Sequence, residues 1–497
     1  MPDERRHVEF RIKVRNDREF WYSYADGDDA SGKVLDDPVR DATLDVLVRW
    51  LGENRLRRRD ELALLGTHLY TILFPGEVDA DFRSALEDVR KAGAGHVLRL
   101  VLEFHADADD LARLPWEYLY VPDRGTAGGR GRFVATRDEL VLTRHVPRAP
   151  KALDVPLPGD WPVRILLVVS APSAEQYGGE GTPESLVSLS TVLWKPVQDM
   201  LQELVDRPNQ SLTLDVLAQP TKKALQERVE SFRPHIVHVV GHGKLVNGRH
   251  NIALVRDPDA ARPIAAWINE DTFADCFEKA CPWLVFLHAC EGAHSDSYRA
   301  FDGAALKLVH SRVPAVVAMR IPISNRAAIE FARSFYEKVG DGRSSIDEAV
   351  QAGRCKLGMY LEDGENFTNR DFGNPIVFVQ NKRTVALPMA PQRPGAASAA
   401  PGRPEQPLAA ARASAARLCP ECRKPLPSTG RFCPGCRTRY LFCPAAECTG
   451  ALRAGDRYCQ QCGEDVGGRA DGHTGAHAVP DDGAAAAPQV APHVAPH

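Results

Sequence analysis

Between residues 161 and 387 the chain alternates short apolar runs with amphipathic stretches. The runs are RILLVVSAP, LTLDVLAQ, HIVHVVGHG, WLVFLHAC, PAVVAMRIPI and PIVFVQ. Among them lie segments such as LSTVLWKPVQDMLQELVD and TKKALQERVESF, whose apolar residues recur at spacings of three and four. A strand that is apolar along its whole length is covered on both faces, and the intervening helical patterns supply the cover. The pattern therefore predicts an α/β fold, a doubly wound and mostly parallel sheet.

Residues 1–150 have a different rhythm. Strand-like runs (HVEFRIKV, HVLRLVLEF, ELVLTRHV) are interleaved with helical patterns such as DATLDVLVRWLGENRL, and the region ends in the Pro-rich RAPKALDVPLPGDWP. This reads as an α+β domain preceding the 151–387 domain. In LPWEYLY, Trp116 and Tyr118 alternate as they would on a strand face, and Glu117 is expected to pair with a basic residue at the domain junction. Residues 388–416 are rich in Pro, Ala and Gly and bury too little apolar surface to offset their ordering entropy, so they read as a flexible linker. Residues 464–497 read as a tail of the same kind.

Open α/β sheets carry their sites at the carboxyl ends of strands. Two such ends bear reactive side chains. HIVHVVGHG ends at His242, between Gly241 and Gly243, and WLVFLHAC ends at Cys290. If those strands are neighbours, an imidazole faces a thiol across one crevice. The imidazole can take the thiol proton and later protonate a leaving amine. The backbone N–H groups of Gly243 and Cys290 are the candidates for an oxyanion hole. His235, His238 and His288 read as packed strand residues, and Cys276, Cys281 and Cys355 as inert thiols.

The segment His238–Gly243, LHAC at 287–290 and SRVPAVVAMRIPISNRAAIEFARSFYEKV together resemble the CHAT family of clan CD cysteine peptidases, relatives of caspases and separase. LGTHLYTILFPG, LRLVL and LPWEYLY resemble the region that precedes the peptidase fold in bacterial members. The likeness spans roughly residues 60–380. It implies a caspase-like fold for 151–387, with His242 as catalytic histidine and Cys290 as nucleophile, in the caspase order of histidine before cysteine. The sequence departs from the family pattern at His288, where a small or polar residue is commoner, and in the EGA that follows the cysteine. Clan CD enzymes generally select the residue before the scissile bond through a charged pocket. Asp296 is a candidate for lining it, with a slight preference for a basic residue before the cut, whereas Asp302 suits the cap of a helix beginning near Gly303.

The 12 cysteines are unevenly placed: eight crowd into residues 417–463. Cys419 and Cys422 are followed after ten residues by Cys433 and Cys436; Cys443 and Cys448, with four residues between them, are followed after ten by Cys459 and Cys462. Paired thiolate knuckles at these spacings make tetrahedral zinc sites. The module resembles a double zinc ribbon holding two structural Zn2+ ions, with no cofactor needed for catalysis. Between residues 419 and 462, seven Lys or Arg against three acids, with Phe432, Phe442 and Tyr458 each preceding a cysteine, leave its ligand open between protein and nucleic acid.

Composition narrows the class. The net charge of -4 points to neither nucleic acid nor anionic membrane as a partner of the whole chain. No apolar run approaches the roughly 20 residues of a membrane span, and the charged N-terminus lacks a secretory signal. The expectation is a cytoplasmic endopeptidase acting on protein substrates, regulated through its ribbon. The rivals are a catalytically silent scaffold and a ribbon-led interaction protein that binds nucleic acid.

Overall fold

The computed structural model describes most of residues 6–380, leaving out 16–18, 25–29, 35–41, 124–130, 147–161, 178–184, 190–191, 259–261, 290–299, 360–369 and a few single positions; beyond these it describes 440–442 and 451–453. The chain divides into two compact units, Met1–Pro394 and Gly395–His497.

The first unit is built on one 11-stranded sheet. Its strands are β1 (Arg6–Arg15), β2 (Glu19–Tyr24), β3 (Ala30–Val34), β4 (His96–Phe104), β5 (Leu140–His145), β6 (Val163–Ser170), β7 (Leu212–Ala218), β8 (Ile236–Gly241), β9 (Leu284–Ala289), β10 (Ala315–Met319) and β11 (Pro375–Val379). Across the sheet they run β7-β6-β8-β9-β10-β11-β5-β4-β1-β2-β3. Each of the six apolar runs forms a strand. The five strands β6 to β10 are mutually parallel, as the uninterrupted apolar pattern predicts. The sixth, β11, departs from that pattern and pairs antiparallel with β10. From β11 the sheet continues through β5, β4 and β1 in parallel register, so strands of the 1–150 region and of the 151–387 region share one sheet.

The order of the parallel block sets the position of the site. The chain steps outward from β6 to β7, then returns to place β8 on the other side of β6, and proceeds to β9 and β10. Right-handed crossovers that move in opposite directions put their helices on opposite faces. Helix Lys195–Val205, which joins β6 to β7, packs against helix Asn325–Gly340, and that helix packs against Ile346–Gly358. Helix Lys222–Phe232, capped by the Thr221 hydroxyl accepting from the Ala224 N–H at 3.1 Å, joins β7 to β8 and belongs to the other face. There Glu270–Ala274 packs on Ala300–Ser311. With both faces covered, all six residues of β8 are buried. The strand order reverses between β6 and β8, and the crevice at their carboxyl ends is where this architecture binds ligands.

Two local readings need correcting. Trp116–Tyr118 is a single 3-10 turn and not a strand. Its alternation serves packing all the same: the Trp116 ring stacks 5.9 Å from Phe104, and Tyr118 meets Phe372 edge-on at 5.3 Å. The helix after β9 begins at Ala300, so Asp302 falls inside its first turn and is not its cap.

In the second unit the described residues form one antiparallel pair, Tyr440–Phe442 with Ala451–Arg453, in which Leu441 faces Leu452. The linker 388–416, the eight ribbon cysteines and the 464–497 tail lie outside the described residues.

Candidate active site

Strands β8 and β9 are neighbours, in parallel register from Ile236–Leu284 to Gly241–Ala289. Gly241 immediately precedes His242, and Ala289 immediately precedes Cys290. His242 and Cys290 therefore each follow, in sequence, one member of a directly paired couple at the carboxyl edge of the sheet. His242 is 5% exposed. Cys290 and Asp296 lie outside the described residues.

The backbone around His242 is held from two sides. At Gly241 a Cβ would come within 2.6 Å of the Ser170 carbonyl oxygen at the end of β6, so glycine permits the close approach of these strands. Ser170 in turn donates its hydroxyl to the carbonyl of Ala253. Beyond His242 the chain enters a three-stranded antiparallel sheet of Gly243–Val246, Arg249–Val255 and Ala265–Asn269. Asn247 and Gly248, at φ 50° and 75°, form the tight turn that an Asn-Gly pair favours.

Hydrogen-bond parity fixes the direction of one group. Gly243 faces Ile252, while the Ala253 N–H donates to the His242 carbonyl at 3.0 Å. That bond makes Gly243–Ile252 a non-hydrogen-bonded pair. Consequently the Gly243 N–H points away from its partner strand, toward the outer edge of the small sheet.

Next to Gly243, Lys244 forms an ion pair with Glu175, and its ammonium lies 4.1 Å over the Trp267 ring. Trp267 Nε1 donates to the same carboxylate at 2.7 Å. Glu175 places a carboxylate beside the site that sequence reasoning missed. Neither spacing nor motif marks it, because it joins the site only through the fold.

Beneath the crevice lies a stack of rings. His238 lies parallel to Phe286 at 4.2 Å, and His288 follows at 5.7 Å. The Tyr336 hydroxyl from helix Asn325–Gly340 hydrogen-bonds His238 Nδ1 at 3.0 Å. His235 is equally buried, its Nδ1 accepting from the Arg164 N–H at 2.9 Å. These three histidines are core residues, as expected. Burial holds His238 well below its ordinary range, with the charge of His288 adding to the effect, and burial alone brings His288 down to about 4. Both stay neutral near pH 7. Burial likewise raises the Cys276 thiol to about 11 and the Cys355 thiol to about 12, which keeps both protonated and unreactive.

The depressed histidines carry a consequence for stability. Unfolded, His288 titrates near 6.5; folded, it titrates near 4. Above pH 6.5 it is neutral in both states and adds no pH dependence. As pH falls from 6.5 to 4 the unfolded chain binds a proton that the folded one refuses, so stability declines, by about 3 kcal/mol at pH 4. Urea midpoints across this range should fall more steeply for the native protein than for His288→Leu. Equal slopes would show that the imbalance is not at this residue.

On the next strand, Arg320 stands just past the end of β10 and turns inward, with its guanidinium 3.9 Å from Glu117. The Asn374 side chain accepts from the Ile321 N–H and donates to the Ile321 carbonyl, both at 2.9 Å, and so extends the pairing of β10 beyond its last strand residue. Glu117 is the pairing residue that the sequence led us to expect. Its basic partners Arg144, Arg354 and Arg320 come from three separate parts of the chain.

Among the described residues no group of His, Cys, Asp and Glu could hold a metal ion, and no helix is long and apolar enough to cross a membrane.

Comparison with known proteins gives one family match: the profile of the CHAT domain covers residues 64–369. No curated protein matches the chain. Among solved structures, the complex of the Porphyromonas gingivalis RgpB pro- and mature domains aligns at 10% identity and TM-score 0.34, over 70% of this chain and 78% of that one. A structure described as a protease aligns at 10% identity and TM-score 0.38, over 70% and 76%. The Saccharomyces cerevisiae separase–securin complex aligns at 14% identity and TM-score 0.30, over 70% of this chain but only 20% of that one. The family match takes in more than half of the 497 residues, from the helices ahead of β4 to the segment before β11. This chain is a member of the CHAT domain family.

Proposed function

We propose that the protein is a cysteine endopeptidase in which His242 and Cys290 form the catalytic dyad. One observation carries the reading: the residues preceding them, Gly241 and Ala289, are directly paired at the carboxyl edge of two parallel strands, beside the point where strand order reverses. In this mechanism the Cys290 thiolate attacks the scissile carbonyl and His242 protonates the departing amine. The oxyanion hole is formed by the N–H groups of Gly243 and Cys290. The outward direction of the Gly243 N–H supports that role, since a donor spent within its own hairpin could not serve the tetrahedral species. An electrophilic peptide tests the dyad. It should label Cys290 in the native protein and fail to do so in His242→Ala, and labelling that is indifferent to His242 would sink the reading.

The ribbon cysteines belong to the same proposal. The donor set fits zinc: two groups of four thiolates, with no oxygen or nitrogen ligand required, make closed tetrahedral sites that hold structure and leave no position for substrate. Cys419, Cys422, Cys433 and Cys436 would hold one ion; Cys443, Cys448, Cys459 and Cys462 would hold the other. The short strands Tyr440–Phe442 and Ala451–Arg453 flank the Cys443–Cys448 knuckle in sequence. Elemental analysis of purified protein is expected to find about two zinc ions per chain, and a chelator should render residues 417–463 protease-sensitive while residues 6–380 stay resistant. Protein that carries no zinc, or whose ribbon region resists digestion after chelation, would count against the module. Tethered beside the peptidase, such a ribbon would raise the local concentration of whatever it recognises. Deleting residues 388–497 should therefore change the rate or the range of substrates cut.

A further inference from the structure

A cavity lies apart from His242, which is not among the residues that line it. It measures about 460 Å³ and opens beside helix Glu77–Ala92 and residues 121–123 and 131–140. Arg83, Arg90, Arg132 and Arg137 line it, over apolar surface that includes Leu86 and Phe133.

The carboxylates that accompany these arginines sit behind them. Arg83 Nε donates to Asp79 at 2.8 Å, and the Asp79 side chain is 2% exposed against 29% for Arg83. Arg90 and Arg137 share Glu139, at 3.0 and 3.1 Å, and Glu139 is 16% exposed against 40% and 33% for the two arginines. A carboxylate in the rear uses part of a guanidinium's five donors and fixes the direction of the rest. The Gln351 amide adds to this by donating to the Arg137 carbonyl at 2.9 Å, which anchors that residue's backbone. Arg132 is exposed, and its side chain makes no ion pair among the described residues. Two acids also line the cavity, the exposed Asp123 and Glu87, and Glu87 is engaged by Lys91 at 3.4 Å. The cavity therefore presents pre-oriented guanidinium donors above an apolar floor. Planar forks of this kind match phosphate oxygens. The volume far exceeds that of a phosphate group, and the apolar floor suits an organic moiety attached to one.

We propose that this cleft binds a small organic phosphate ester. Isothermal titration of the full chain with AMP, with glucose 6-phosphate and with inorganic phosphate tests this. At least one of the two esters is expected to bind saturably and more tightly than inorganic phosphate. Arg132→Glu should weaken that binding by about tenfold or more while leaving the melting temperature of the free protein unchanged, because its side chain makes no ion pair among the described residues. Arg137→Gln should weaken it as well. Failure of both esters to bind would overturn the proposal, and so would binding that persists unchanged in the Arg132→Glu/Arg137→Gln double variant. Inorganic phosphate binding as tightly as the esters would overturn the organic part of it.

Discussion

Replacing Cys290 with alanine is expected to lower peptide hydrolysis by about 10⁴-fold or more, and His242→Ala by a comparable factor. The double variant should be no worse than either single one, because a nucleophile and its base act as a unit and the second loss removes nothing further. Rates of cleavage of unfolded protein or peptide pools, compared across the three variants, read this directly. The other cysteines supply the control. Cys276 is buried and Cys355 half-buried, with thiols raised to about 11 and 12, so their thiolate populations at neutral pH are negligible. Alanine at either should leave catalysis unaltered apart from any loss of folded protein. Hydrolysis that survives in Cys290→Ala, at a rate near that of the native protein, would end the assignment of Cys290 as the nucleophile, and a native protein that cleaves no peptide would leave the sheet a scaffold.

Glu117→Ala should be the most destabilising single replacement in the first unit, at about 3–5 kcal/mol. Burial alone would push this carboxyl up, but Arg144, Arg354 and Arg320 override it and hold the group below its usual range, so it is ionised in the fold. Arg144 Nε donates to it at 2.9 Å, and Arg354 and Arg320 approach within 3.5 and 3.9 Å. No member of the group is more than 3% exposed. Burial also brings the Arg354 guanidinium down to about 10, against the pull of Glu117. Removing the anion leaves these cations facing one another in a site that water does not reach, and each is tied elsewhere by backbone carbonyls. Arg144 donates to Ala112 and Leu114, Arg320 to Arg113 and Leu114, and Arg354 to Pro375 and Leu142. The loss would thus loosen β5, β11 and the end of β10 together. Urea unfolding of Glu117→Ala and of the near-isosteric Glu117→Gln measures it. A midpoint for Glu117→Ala within about 1 kcal/mol of the native protein would show that the arginines find other partners.

The order in which strands and helices occur along the chain was legible without the structure. Each apolar run between 161 and 387 became a strand, and in TKKALQERVESF the residues from Lys222 became a helix capped by Thr221, because period and capping are local properties. The placement of His242 immediately after a strand was legible for the same reason, and the motifs around it were enough to suggest the family. The ring stack of His238, Phe286 and His288 was only half legible. Its members read correctly as core, but Tyr336 lies 98 residues from His238 and nothing local announces it. In Trp116–Tyr118 a three-residue alternation was too short to separate strand from turn, and the tertiary burial of both rings decided for the turn.

Other features belonged to the tertiary structure alone. An apolar run states that a strand is covered, but it does not state which edge it meets or in which direction. The antiparallel turn of β11, the continuation of the sheet into β5, β4 and β1, and the neighbouring positions of β6 and β8 were settled by pairings between distant segments. Glu117 illustrates the difference. Its sequence neighbourhood implied a basic partner, whereas the three that it meets stand 27, 203 and 237 residues away, at positions 144, 320 and 354. Local patterns set which backbone conformations are favourable; only the closing of the whole sheet determines which buried charges must share one carboxylate, and only the register of the small antiparallel sheet turns the Gly243 N–H outward.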